Sequence, residues 1–157
     1  MSTNDPIQVR PATNEDCKSV QNLIFDVLHE YGLKPAPDGI DRDISDIEAN
    51  FIGRGGVFEV LEDPNGLILG TVGLYPLDDS RIELRKMYFA KEIRGKGLGK
   101  KTLNRMIETA KDLGYKQVVL ETASVLVEAI GLYKSFGFHE SSAQHTPRCD
   151  QAFYLNL

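Results

Sequence analysis

The residues with the most chemical content are Arg94-Gly95-Lys96-Gly97-Leu98-Gly99-Lys100. Three glycines alternate with basic or apolar residues. Glycine accepts positive φ and carries no Cβ, so successive backbone N–H groups can converge on one ligand. A helix opening at this point adds unpaired N–H groups and the positive end of its dipole. Such a loop suits a phosphate or pyrophosphate. Two nucleotide motifs do not fit it. A P-loop needs a second glycine five positions after the first, and counting from Gly95 that position is Lys100. A dinucleotide G-x-G-x-x-G fails at the same lysine, and it expects an early βαβ unit.

The elements around the loop must hold it in place. Before it, Ile82 to Phe89 is rich in branched and aromatic residues and reads as a strand. Even alternation along this strand gives neither face a clean apolar set, because Lys86 follows Leu84; a β-bulge near Met87 would repair the pattern. After the loop, Leu98, Leu103, Met106, Ile107, Ala110 and Leu113 recur at helical spacing. Upstream, Ile7–Arg10 reads as a strand closed by Pro11, and Val20, Leu23, Ile24, Val27, Leu28 and Tyr31 mark a helix stopped by Gly32. A short helix over Ile44, Ile47 and Phe51 follows a loop. Val57–Leu61 and Leu67–Leu77 form a hairpin about Asp63-Pro64-Asn65-Gly66. Downstream come a strand at Gln117–Thr122, a helix over Val125–Phe136 with Ala129, Leu132, Tyr133 and Phe136 on one face, and closing strands at Phe138 and Ala152–Leu155. The pattern predicts a single α+β domain over 1–157, antiparallel in front with one strand–helix–strand crossover.

Composition narrows the partners. The 157 residues carry 18 basic and 23 acidic side chains, a formal charge of −5, which speaks against general nucleic-acid or membrane-surface binding. Arg85 to Lys101 is locally basic, as a polyanionic ligand would require. Asp38 to Glu48 is acidic and would suit a cationic substrate, or is simply a solvated loop. Two cysteines are too few for a disulfide framework, and with neither a secretory signal nor a long apolar run a cytoplasmic location is expected. The three histidines lack metal-ligand spacing, so no metal is predicted.

Over nearly its whole length the chain resembles the GNAT superfamily of N-acetyltransferases. The likeness rests on Arg94-Gly95-Lys96-Gly97-Leu98-Gly99 after a strand, on Ala129-Ile130-Gly131-Leu132-Tyr133-Lys134-Ser135-Phe136-Gly137-Phe138, and on the opening Val9-Arg10-Pro11-Ala12-Thr13 with Asp16. It implies a mixed, mostly antiparallel sheet of about seven strands flanked by about four helices. It also implies acetyl-CoA as co-substrate, with the pyrophosphate held by Arg94, Gly95, Lys96, Gly97, Leu98, Gly99 and Lys100. The pantetheine arm would lie along Met87, Tyr88 and Phe89, with Ala129 and Tyr133 beside it. Where relatives carry an asparagine that bonds the pantetheine, this chain has Leu126.

The same resemblance assigns roles. Tyr133, a phenol with an ordinary pKa of about 10, would protonate the departing thiolate, or else pack in the core beside Leu132 and Phe136. Glu83 would take the amine proton through a water, or pair with Arg81 or Arg85. Even spacing puts Glu83, Met87 and Phe89 on one strand face unless a bulge intervenes. A backbone N–H near Phe89 would serve as oxyanion donor. His145, Arg148 and Asp150 lie where acceptor sites often form: Arg148 could bind a carboxylate and Asp150 an amine, or the two could form a surface pair. Cys149 reads as a small buried residue rather than a nucleophile. The expected activity is direct acetyl transfer to a primary amine of a small or amino-acid-like molecule, with a homodimer frequent among relatives. A non-catalytic acyl-CoA-binding module and a peptide N-terminal acetylase are the alternatives.

Overall fold

In the computed structural model, residues 6–142, 146 and 148–157 are described. The strands are β1 (Gln8–Pro11), β2 (Val57–Glu62), β3 (Ile68–Pro76), β4 (Arg81–Phe89), β5 (Gln117–Thr122), β6 (His139–Ser141) and β7 (Gln151–Asn156). The helices are α1 (Cys17–Glu30), α2 (Ile47–Asn50), α3 (Leu98–Asp112) and α4 (Val127–Ser135). One seven-stranded sheet runs in the order β1-β2-β3-β4-β5-β7-β6. Every neighbouring pair is antiparallel except β4 and β5, which α3 joins as a parallel crossover. The architecture is the expected one. Pro11 ends inside β1 rather than after it, which an edge strand tolerates because no partner needs its missing N–H.

Two cores sandwich the sheet. On one face, α1 and α2 bury Val20, Ile24, Leu28, Ile47 and Phe51 against Phe58 and Val60. On the other, α3 and α4 bury Leu103, Met106, Ile107 and Tyr133 against Val72, Leu84, Val118 and Phe153. Leu113, expected on the buried face of α3, is instead 46% exposed where the helix ends. On β3, a Cβ at Gly73 would sit 2.8 Å from both the Phe51 and Phe58 rings, so this glycine serves close packing.

Strand β4 departs from regularity twice, and both departures shape the site. Its pairing with β3 slips by one residue between Tyr88 and Arg85. Lys86 takes a left-handed backbone there, φ 58°. This is the bulge that the sequence called for. Its carbonyl accepts a hydrogen bond from the buried Thr71 hydroxyl at 2.7 Å, which satisfies a polar group removed from the ladder. The second departure is on the other edge. β4 pairs with β5 only over Arg81–Glu83, so from Leu84 onward that edge has no strand partner among the described residues. The strands splay, and a cavity opens between them.

Candidate active site

The cavity has a volume of about 450 Å³ and passes through the splay, so it is lined from both faces of the sheet. At one end is the glycine loop. Gly95 and Gly97 have φ of 77° and 78°, and a Cβ on either would meet no atom within 4 Å. A Cβ at Gly99 would come into contact with Leu132, at 3.4 Å. A short 3-10 turn at Lys91–Ile93 separates β4 from the loop. Gly97 is the N-cap of the 15-residue α3 and no side chain caps that end, which leaves its first N–H groups facing the cradle.

The loop is anchored by Arg94. Its Nε donates to the Phe89 carbonyl at 2.9 Å, and its fork reaches the two Glu30 oxygens at 2.6 and 3.0 Å. The Arg94 side chain therefore fixes the loop to the end of α1, leaving backbone groups to hold a ligand. Gly97→Ala would put an alanine in a left-handed conformation, at a cost of about 1–2 kcal/mol, with its methyl in the open cradle. We expect calorimetry to show acetyl-CoA affinity reduced about tenfold or more, with only a small loss of melting temperature.

Along the open β4 edge, Met87, Tyr88 and Phe89 line the cavity, facing Ala129, Leu132 and Tyr133 of α4. Leu126 lines it too, so the family's asparagine is replaced by an apolar contact surface. Leu132 and Ala129 are half-buried because their outward side forms this wall. Tyr133 packs on Phe138 and Phe153 with ring centroids 5.8 and 6.3 Å away. Burial, with the neighbouring Tyr88, pushes its phenol well above the ordinary range, so it is a neutral proton donor at any working pH. Burial likewise raises Tyr88 to about 12. Lys96 and Lys100 are exposed outside the cavity wall, although the backbone of both belongs to the loop.

The bulge changes which face Glu83 serves. Leu84 and Met87 join the core under α3 and α4, whereas Tyr88 packs with the α1 core, as does Tyr75, the partner of Glu83 across the ladder. Glu83 thus looks to the α1 side, opposite Met87 and Phe89. The even-spacing expectation is corrected by the inserted residue. Glu83 lines the cavity and is also ion-paired, to Arg85. Arg81 bonds Asp78 instead. Burial pushes the Glu83 carboxyl up, Arg85 opposes this, and the charges of Glu121 and Asp43 add to the rise.

A buried ionic network extends from there, which the sequence did not disclose. Lys86 Nζ meets Asp41 at 2.6 Å, the Ile40 carbonyl at 3.1 Å and Asp43 at 3.4 Å. Arg148 grips Asp41 with both arms of its fork, at 2.7 and 2.9 Å, and also reaches the Lys34 carbonyl. Arg85 stacks 3.6 Å over Tyr75 and approaches Asp43 at 3.4 Å. Burial pushes Asp41 up, but hydrogen bonds from Arg148 and the charge of Lys86 outweigh it and hold the carboxyl well below its ordinary value.

Four acids of the loop are thus engaged within the protein: Asp41 and Asp43 meet cations, Asp46 caps α2, and Glu48 accepts from the Asn14 N–H. Arg148 and Asp150 do not pair. Asp150 is outside the cavity wall and bonds the Ser124 backbone and hydroxyl at 2.7 and 2.8 Å. His145 lies outside the described residues. Cys149 lines the cavity, but burial raises its thiol pKa, so it is a poor thiolate. Glu121, on the same wall, was not singled out by the sequence. Its alternation with Gln117 and Val119 along β5 was the available signal. Among the described residues no cluster could hold a metal, and no helix is long and apolar enough to cross a membrane.

Residues 22–138 match the family model described as the acetyltransferase (GNAT) family. The chain belongs to that family. It is an acyltransferase, and acetyl-CoA is the family's acetyl donor. The chain is 37% identical over 136 residues to the uncharacterized N-acetyltransferase YjgM of Escherichia coli (strain K12), covering 83% of this chain and 80% of that one. Among solved structures it is similar to a GNAT-family acetyltransferase of Staphylococcus aureus Mu50, with TM-score 0.90, 26% identity and coverage of 96% and 99% of the two chains. YncA of Salmonella typhimurium, a putative acetyltransferase solved with acetyl-CoA, shares the fold at TM-score 0.73 and 23% identity, with 96% and 94% coverage.

Proposed function

We propose that this acetyltransferase transfers acetyl from acetyl-CoA directly to a primary amine of a small molecule, within a ternary complex. The observation that carries the reading is the continuity of one cavity through the splay. A phosphate cradle at one end is joined to a carboxylate-lined chamber on the opposite face of the sheet. Backbone N–H groups at Gly95, Gly97 and the start of α3 would hold the pyrophosphate. The open β4 edge from Leu84 to Phe89 would bond the pantetheine amides as an added strand does.

Acetyl-CoA, once bound, supplies an activated thioester carbonyl and a thiolate leaving group. The residues around it divide the remaining work. A backbone N–H near Phe89 would donate to the carbonyl oxygen as charge develops. Glu83 would accept the ammonium proton through a water, because burial raises its basicity above that of an exposed carboxylate. Tyr133 would protonate the departing sulfur, its hydroxyl being neutral throughout the working range.

Thiol release measured against pH tests this assignment. The acid limb of kcat/KM should lie above 4.5, the ordinary value for glutamate, because the base must ionise. Glu83→Gln should lower kcat/KM about 10²-fold and abolish that limb. Stability should move oppositely. A carboxyl raised in the folded state disfavours folding as pH climbs from 4.5 through its folded value, and Glu83→Gln removes that loss. An unchanged pH profile in Glu83→Gln would reassign the base.

A further inference from the structure

The chamber's charges are unevenly satisfied. Away from the glycine loop and among the described residues, Arg85, Lys86 and Arg148 line it, and each is held by carboxylates of the protein itself. The Arg148 fork, whose planar donors match a carboxylate, is filled by Asp41, a side chain with no solvent exposure. On the acidic side, Asp43 is incompletely satisfied. Its side chain is only 8% exposed, its contacts with Arg85 and Lys86 are both 3.4 Å, and Oδ1 accepts no hydrogen bond. The unused capacity at Asp43 is for a donor.

The three cations are all committed and Asp43 keeps an unfilled acceptor, so an ammonium can be received there, whereas the carboxylate of an amino acid would enter a chamber whose cations are already paired.

We propose that the acceptor is an amine without a carboxylate, and that Asp41 sets this specificity by occupying the Arg148 fork where a substrate carboxylate would otherwise dock. The proposal rests on the acetyl-transfer reading and narrows its acceptor. Exclusion works because the carboxylate-matching fork is already filled by Asp41, whose charge opposes a second carboxylate, rather than through a better fit for the amine. Relief of the exclusion therefore needs only the loss of one charge.

The test compares matched pairs: tyramine with tyrosine, histamine with histidine, isoamylamine with leucine. In each pair that turns over, the amine should have kcat/KM at least about tenfold above the amino acid, and Asp41→Asn should narrow that ratio at least about tenfold by freeing Arg148. Preference for the amino acid, equal rates, or an unchanged ratio in a folded Asp41→Asn variant would overturn the proposal. If Asp41→Asn does not fold, Arg148→Gln decides. It should affect both members of a pair alike, and a selective loss of the amino acid would overturn the proposal. If no amine releases CoA, the transfer reading fails separately. Calorimetric titration of tyramine and tyrosine into the CoA-bound protein then decides: binding of tyramine alone supports the proposal, and binding of tyrosine, or of neither, overturns it.

Discussion

Tyr133→Phe is expected to lower kcat by about 10²- to 10⁴-fold, the usual contribution of a positioned proton donor. The substitution keeps the ring that packs on Phe138 and Phe153, so the fold and the α4 wall should survive, and the melting temperature should change little. Acetyl-CoA affinity should also persist, because the loop and the β4 edge that would hold it are untouched. Rapid-quench or steady-state thiol release with an amine in excess separates the two quantities. A variant that binds normally and turns over slowly identifies the phenol as the acid. One that turns over normally returns Tyr133 to the core, where its ring already has a packing role. The other α4 residues on the cavity wall are Glu128, Ala129 and Leu132, and none of them carries a hydroxyl that could take its place.

Asp41→Ala should be the most destabilising single change in the chamber, by about 3–5 kcal/mol, the range for breaking a buried ion pair from one side. Lys86 and Arg148 would lose the carboxylate between them, and the nearest remaining one, Asp43, lies 3.4 Å from Lys86. A loss of that size is a large part of the about 5–15 kcal/mol that holds a typical domain together. The left-handed backbone of Lys86 compounds it, because a conformation that costs about 1–2 kcal/mol is secured partly by where its ammonium lands. Denaturant unfolding measures the change. Its pH dependence has a defined sign: a carboxyl held below its ordinary value contributes fully above 3.8 and loses that contribution only as pH falls through the folded value. The gap between wild type and variant should thus be constant near neutrality and shrink in strong acid.

Much of this was legible in the chain. Hydrophobic periodicity gave α1, α3 and the central strands, and the polar Lys86, falling by alternation on the same face as Leu84, pointed to the bulge. The glycine loop was readable because glycine has few uses at alternate positions, and Gly95 and Gly97 adopt the left-handed φ that it permits. What could not be read was pairing at long range. Asp41, Lys86 and Arg148 are separated by 45 and 62 positions, and nothing local in an aspartate says which cation it will meet. The acidic loop therefore looked available to a cationic substrate when most of its charge was committed inside the protein. Glu83 shows the other limit. A single inserted residue reverses every later side chain on a strand, so spacing alone gave the wrong face.

The most direct test of the central claim is the fate of the acetyl group. The protein is mixed with acetyl-CoA, with and without tyramine, and free CoA, small-molecule product and intact protein are followed together by mass spectrometry. Direct transfer predicts that CoA appears only when the amine is present, that the acetyl group is found on the amine nitrogen, and that the protein gains no mass. Release of CoA without amine, with the acetyl group on Cys149, would contradict it, as would an absence of acetyl transfer to any amine.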